Sequence, residues 1–277
     1  MTVTTSLDLV SPARTASRGL GAFNVVLLEH AEAIVSGAER AGAPVVLQIS
    51  QNCVRYHGAL EPITAASLAI ARAAGTPAIV HLDHAEDVSL VHAAVELGVQ
   101  SVMFDGSALP YDENVATTRA VVEHCHARGV LVEAELGEVG GKDGVHAPGV
   151  RTDPADAAAF VAATGVDSLA VAVGTSHAMT TRVATVDREL VAALSRSVPV
   201  PLVLHGSSGL SDDELAGAVR SGMTKINIST HLNGLFTSEV RGALDADESL
   251  VDPRKYIAPA RAAVADEVER LLRLLSS

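Results

Sequence analysis

No run of eighteen apolar residues occurs in this chain, although 48% of its residues are apolar and its mean hydropathy is +0.29. That absence excludes a membrane-spanning helix and assigns the hydrophobicity to a buried interior, so a soluble protein is expected. Basic clusters are missing too. Lys and Arg number 20 against 33 Asp and Glu, and the formal net charge of -13 disfavours nucleic acid and anionic membranes as partners. A small-molecule substrate is favoured. Cys53 and Cys125 are the only cysteines, too few and too far apart in sequence for a disulfide framework, which fits a reducing cytoplasm. The opening MTVTTSLDLVSPARTASRG has no basic n-region followed by an apolar stretch, so no export signal is expected.

What the chain does have is an alternation. Short apolar runs rich in β-branched residues fall at 22–26, 44–50, 77–83, 101–105, 130–136, 168–174, 201–206 and 225–229. Between them lie segments with apolar residues at three- and four-residue spacing, for instance 29–41, 65–74, 88–97, 114–128 and 212–221. Near-continuous apolar strands are what a parallel sheet covered on both faces requires, and eight strand–helix units predict a closed α/β barrel, the (β/α)8 or TIM type, over 277 residues as one domain. Helix starts agree. Asp153 precedes Pro154, and Ser211 precedes three acids in a first turn. The stretch 137–166, opening GEVGGKDGVHAPG, reads as a mobile lid, and 256–275 reads as a closing helix.

In such barrels the active site is built at the strand ends, which here are polar in every unit: Asn24, Ser50, Asp83 with His84, Asp105, Glu133 with Glu135, His177, His205 and Asn227. His84, His177 and His205 are the expected metal ligands, because three imidazoles beside a carboxylate make a site for a divalent ion that keeps a position open for substrate. Glu133 and Glu135 alternate onto one side of their strand. With Asp105 they either orient a ligand's second nitrogen, hold a cation in an alternative position, or form an ordinary buried network. His81 shares a face with Asp83, lies deeper, and is expected to be structural. Gly206-Ser207-Ser208 and Asn227-Ile228-Ser229-Thr230 fall after the seventh and eighth strands, where small residues and helix N-termini suit a phosphate; the alternative is two plain turns.

Taken together, GAFNV, HLDH, SVMFDGS, EAELGEVGG, TGVDSLAVAVGTSH, PLVLHGSSGL, TKINIST and DPRKY resemble the class II, metal-dependent ketose-bisphosphate aldolases over nearly the whole chain. The resemblance implies Zn2+ on His84, His177 and His205, with Asp83 exchanging a proton with the C4 hydroxyl of a phosphorylated ketose. It further implies a C1-phosphate site in 206–208 and 227–230, Arg254 on a distal phosphate, a monovalent cation (Na+ or K+) near the phosphate, and a homodimer or homotetramer. Two positions depart from the family pattern. Ala178 stands where a glycine usually presents its backbone to phosphate, and Asp143 stands near the usual lid glutamate, so that its proton-transfer role would have a shorter reach. Fructose 1,6-bisphosphate is the expected substrate, with tagatose 1,6-bisphosphate or a deoxy or inositol-derived phosphoketose as the alternative.

Other chemistries make distinguishable claims. A lysine-dependent aldolase would need a Schiff-base amine; Lys142, Lys225 and Lys255 are the only lysines, and of these Lys225 alone lies in a strand run. A metal-dependent hydrolase would share the histidines but leave two phosphate-type loops unexplained. A regulatory subunit would have lost the metal ligands.

Overall fold

A computed structural model describes residues 7–136, 151–176 and 179–277. The eight strands are β1 (Leu20–Asn24), β2 (Val45–Ser50), β3 (Ala78–Ala85), β4 (Ser101–Phe104), β5 (Leu131–Glu135), β6 (Ser168–Ala170), β7 (Leu202–Leu204) and β8 (Met223–Ile228). Each pairs in parallel with the next, and β8 pairs with β1, so the sheet closes into a barrel in chain order. The expected TIM barrel is the observed one. β6 and β7 are shorter than the apolar runs suggest, but the ladder continues through Val171 N–H, which donates to Val203 O at 3.3 Å.

Helices fill the crossovers: α1 (Leu7–Thr15), α2 (Leu28–Ala41), α3 (Gln51–His57), α4 (Glu61–Ala73), α5 (Val88–Leu97), α6 (Tyr111–His126), α7 (Pro154–Thr164), α8 (Arg188–Ser197), α9 (Asp212–Ser221), α10 (Thr230–Ala246) and α11 (Pro253–Leu275). The capping signals operate as chemistry dictates. Asp153 accepts from Ala155 and Asp156 N–H, Ser211 from Glu214 N–H, and Asp252 from Arg254 N–H. Because α7 occupies the second half of 137–166, the lid expectation is confined to 137–150, which lie outside the described residues. None of the described helices is long and apolar enough to cross a membrane.

Two apolar layers are separate. The larger lies between barrel and helices, holding Phe23, Phe104, Phe160, Leu169 and Leu194. Inside the barrel the apolar filling is thin: Leu20, Ala22, Val46 and Ile79 meet Leu9 of α1 at one end, and Met103, Ala170 and Val203 form a small cluster further along. Helix α1 was not legible from the opening residues. It packs against the N-terminal ends of β1 and β8, and Arg14 donates to the carbonyls of Val198 and Pro199. The remaining interior positions are polar, with Gln48, His81, Ser101, Glu133, His205 and Lys225 all buried. TIM-barrel interiors are normally dominated by Val, Ile and Leu. This one is wired instead.

On the outside, α9, α10 and α11 are tied by charge. Glu267 accepts from His231 at 2.7 Å and from Arg270 at 2.7 and 2.8 Å, while Arg270 also reaches Asp212 at 2.5 Å. Burial alone would raise the Glu267 carboxyl, but the hydrogen bonds and charges of Arg270 and His231 outweigh it and push the pKa from 4.5 down to about 2. A carboxyl depressed in the folded state stabilises fully above its ordinary pKa and loses that contribution as pH falls through the folded value. Half-exposed and screened, the network contributes about 1 kcal/mol, so Glu267→Gln is expected to lower Tm by about 2–4 °C at neutral pH. The deficit should shrink from pH 4.5 toward 2 in thermal melts; a pH-independent deficit would place the effect in packing instead.

Candidate active site

At the C-terminal end of β3 two neighbouring side chains turn to the same mouth, which a regular strand forbids because successive residues face opposite sides. The backbone supplies the means. β3 shifts register against β4 between Leu82 and Ala85, and His84 sits at φ 48, a left-handed conformation that non-glycine residues rarely hold. The bulge adds the His84 imidazole to the site that Asp83 already faces. Strain of this kind persists where surrounding structure fixes it, and here Asp105 Oδ2 pairs with His84 Nδ1 at 2.8 Å. Asp105 is held in turn, its Oδ1 accepting from Ser107 Oγ at 2.6 Å and Ser107 N–H at 3.2 Å.

His205 follows β7 and packs edge-on against His84, ring centroids 4.6 Å apart. Its Nε2 lies 3.1 Å from Glu133 Oε1 and its Nδ1 lies 3.3 Å from Glu135 Oε2, both carboxylates coming from β5. Asp83, His84 and His205 each place one donor atom within 4.8 Å of the others, and His84, Asp105 and Glu135 form an overlapping second set. Two imidazoles with converging carboxylates are a borderline-soft donor set suited to Zn2+. The donors fit a divalent ion. Asp83 Oδ1 strengthens that fit: it is buried with no hydrogen-bond partner among the described residues, a costly state unless an ion or substrate completes it.

Charge is tuned across this cluster. Burial would raise the Asp83 carboxyl, but the charges of His84, Lys225, His205 and His81 outweigh it and hold it down at about 2. Asp83 is therefore an ionised carboxylate at neutral pH. For His205, burial pulls the other way from its partners, and the hydrogen bonds and charges of Glu133 and Glu135 win, raising it to about 10 without a metal. Burial and the Lys225 charge push His81 down to about 3, so it is a neutral imidazole. Glu133 lies well below the carboxylate range, burial being overcome chiefly by Lys225 and His205.

Around this centre the expected residues sort themselves. Asn24 Nδ2 donates to Asp83 Oδ2 at 3.0 Å. Ser50 neighbours Asp83 in register, yet its hydroxyl caps α3 by accepting from Cys53 N–H at 3.1 Å. Gly206 sits at φ 66, and a side chain there would meet Ser176 O at 2.5 Å, so only glycine fits. Ser207–Gly209 form a single 3-10 turn, Ser207 Oγ donates to Asn227 O, and Ser208 Oγ accepts from Ser229 N–H at 3.3 Å. The two loops are thus one surface at the start of α10. Ser229 makes no side-chain cap and Thr230 opens the helix, while Ile228 is buried beneath. Asn227 Oδ1 is buried without a partner among the described residues. Arg254 is exposed and its guanidinium is taken by Asp252, so none of its polar contacts among the described residues is to the strand-end cluster. His177, Ala178 and Asp143 lie outside the described residues.

Two buried polar side chains beside the site, Gln48 and Lys225, were not among the expected site residues. Gln48 is fully buried one alternation before Ser50, and its amide approaches Asn24 Oδ1 at 3.5 Å. Lys225 donates to Glu133 Oε2 at 2.8 Å and sits level with Leu20 at the start of β1, below the strand ends. Both were polar residues inside apolar strands, and a charge in such a run has to be paired.

Comparison with known proteins agrees with this geometry. The family model described as fructose-bisphosphate aldolase class-II matches residues 4–277. A fructose-bisphosphate aldolase of Thermus caldophilus is 36% identical over 300 residues, covering 99% of this chain and 98% of its own. Among solved structures, the YdjI aldolase of Escherichia coli K12 superposes with a TM-score of 0.83 at 31% identity, covering 96% of this chain and 94% of that one. A structure titled as a putative fructose-1,6-biphosphate aldolase of Coccidioides immitis gives 0.87 at 29% identity, covering 98% and 95%. A family match from residue 4 to residue 277, on a closed barrel whose strand ends gather imidazoles and carboxylates, means that this chain belongs to the class II fructose-bisphosphate aldolases, lyases acting on carbon–carbon bonds.

Proposed function

We propose that this aldolase is zinc-dependent and cleaves fructose 1,6-bisphosphate reversibly to dihydroxyacetone phosphate and glyceraldehyde 3-phosphate. The observation that carries this is the convergence of Asp83, His84 and His205 donor atoms within 4.8 Å at the mouth of a barrel of this family. His84 and His205 would hold the ion, joined by His177, for which the motif ending at that histidine is the argument. When bound, zinc supplies Lewis-acid polarisation of the ketose carbonyl and takes up negative charge left by C3–C4 cleavage.

The remaining work falls to side chains. Asp83 Oδ1 accepts the C4 hydroxyl proton as the C3–C4 bond breaks and the aldehyde forms; in the reverse direction it returns that proton. Asn24 holds the opposite oxygen, Oδ2, so the accepting oxygen stays turned to the site. The C1 phosphate lies on the joined loops 206–208 and 227–230, where the first turn of α10 presents N–H groups that no side chain caps. Buried Asn227 Oδ1 accepts a substrate hydroxyl. Asp143 as a second proton-transfer group and a monovalent cation beside the phosphate belong to the same reading.

The test is a panel of phosphorylated ketoses assayed with zinc and a coupled detector of dihydroxyacetone phosphate. The expected result is a kcat/KM for fructose 1,6-bisphosphate at least tenfold above that for tagatose 1,6-bisphosphate or deoxy and inositol-derived phosphoketoses. Preference for another member of the panel would transfer the mechanism to that sugar; no dihydroxyacetone phosphate from any of them would end the reading.

A further inference from the structure

The polar filling of the barrel forms a single file. Ser101 Oγ lies 2.7 Å from His81 Nδ1, His81 Nε2 lies 3.5 Å from Lys225 Nζ, Lys225 donates to Glu133 Oε2 at 2.8 Å, and Glu133 Oε1 lies 3.1 Å from His205 Nε2. An ammonium has donors and no acceptor, and that asymmetry sets the direction of every bond in the file. Facing Lys225, His81 Nε2 must accept, so its proton is on Nδ1 and is given to Ser101. On the other side Glu133 accepts at both oxygens, so His205 must carry its proton on Nε2.

We infer that Lys225 is a positioning residue for His205, fixing through Glu133 the tautomer and ring orientation that turn His205 Nδ1 toward the strand-end cluster. This rests on the zinc reading given above. A metal-ligating imidazole with its second nitrogen donated to a carboxylate is held in orientation and gains basicity. A lone buried carboxylate could rotate and so release the ring. Lys225, bonded to the other carboxylate oxygen, prevents this. Its place is set by β8 itself, which aligns Lys225 with Leu20 on one side and Val203 on the other.

The surroundings argue that this is not merely filling. Two charges buried in a barrel interior are often no more stabilising than well-packed aliphatic residues, so their presence calls for a role beyond holding the fold. Behind them, a cavity of about 340 Å³ at the N-terminal mouth is lined by Arg14, His81, Ser101, Glu133 and Lys225. The ion pair anchors the head group of the lysine, and with open volume beside it a shorter or uncharged side chain can be accommodated without overpacking.

The test uses the full-length protein stripped of metal, with zinc affinity measured by competition against a chromophoric chelator and ligand geometry read from the visible spectrum of the cobalt-substituted form. Lys225→Met is expected to weaken zinc about ten- to a hundredfold and to alter the cobalt bands, changes that a purely structural residue in a folded variant would not produce. Glu133→Gln, which keeps the shape, should do the same. In the Glu133→Gln background Lys225→Met should add less than twofold, since both act on His205 along one path. A folded Lys225→Met protein that binds zinc within twofold of wild type with unchanged cobalt bands overturns the inference. Should that variant not fold, unchanged zinc affinity in Glu133→Gln overturns it equally. Wild-type protein that fails to bind zinc would overturn the metal reading as well, whereas normal wild-type binding beside unaffected variants would sink this inference alone.

Discussion

Asp83→Ala is expected to lower kcat for ketose cleavage by about a thousandfold or more while zinc content stays at the wild-type level. General acid–base groups contribute about 10²–10⁴-fold, and the upper part of that range applies because Asp83 is buried at a strand end with an oxygen that has no hydrogen-bond partner among the described residues. Asp83 is 3% exposed, with one oxygen held by Asn24 and the other open to the site. Its depressed pKa keeps it in the proton-accepting form across the physiological range. Steady-state kinetics with metal analysis on the same preparation separates the outcomes. Activity within tenfold of wild type removes the proton-transfer assignment. Loss of zinc together with activity would make Asp83 a ligand, as its place in the convergent donor set permits.

Removal of metal by a chelator should abolish cleavage to a comparable extent, with recovery on adding Zn2+ and no adduct trapped by borohydride in the presence of substrate. An amine that forms a Schiff base must be uncharged and near the substrate carbonyl, whereas Lys225 is an ammonium clamped by Glu133 at 2.8 Å, 4% exposed and level with the beginning of β1. The strand ends offer imidazoles and carboxylates in its place. Cleavage that persists in protein shown by elemental analysis to be free of transition metal would remove the zinc reading, and a borohydride-trapped adduct would reinstate an amine mechanism.

Much of the architecture was legible along the chain because barrel strands are buried on both faces and helices on one, so hydrophobic period alone separates them. Caps at Asp153 and Ser211 were readable for a similar reason: a helix start needs an acceptor within three residues, and local chemistry supplies it. Ser50 shows the limit. Its hydroxyl sits at a strand end, as expected of a substrate contact, but the adjoining helix α3 takes it as a cap. Arg254 shows the same thing, since its neighbour Asp252 engages it before any substrate is considered.

By itself the amino-acid order determined the barrel, the strand-end address of its polar residues and the donor types that make a metal site, because each depends on near neighbours and on a repeating period. Only the tertiary structure decided how those residues act. The left-handed turn at His84 that breaks the alternation, and the pairing of Glu133 with His205 and Lys225 from strands 72 and 92 residues away, are products of strand register. Register is settled when the sheet closes, and no local pattern encodes which charge will meet which across it.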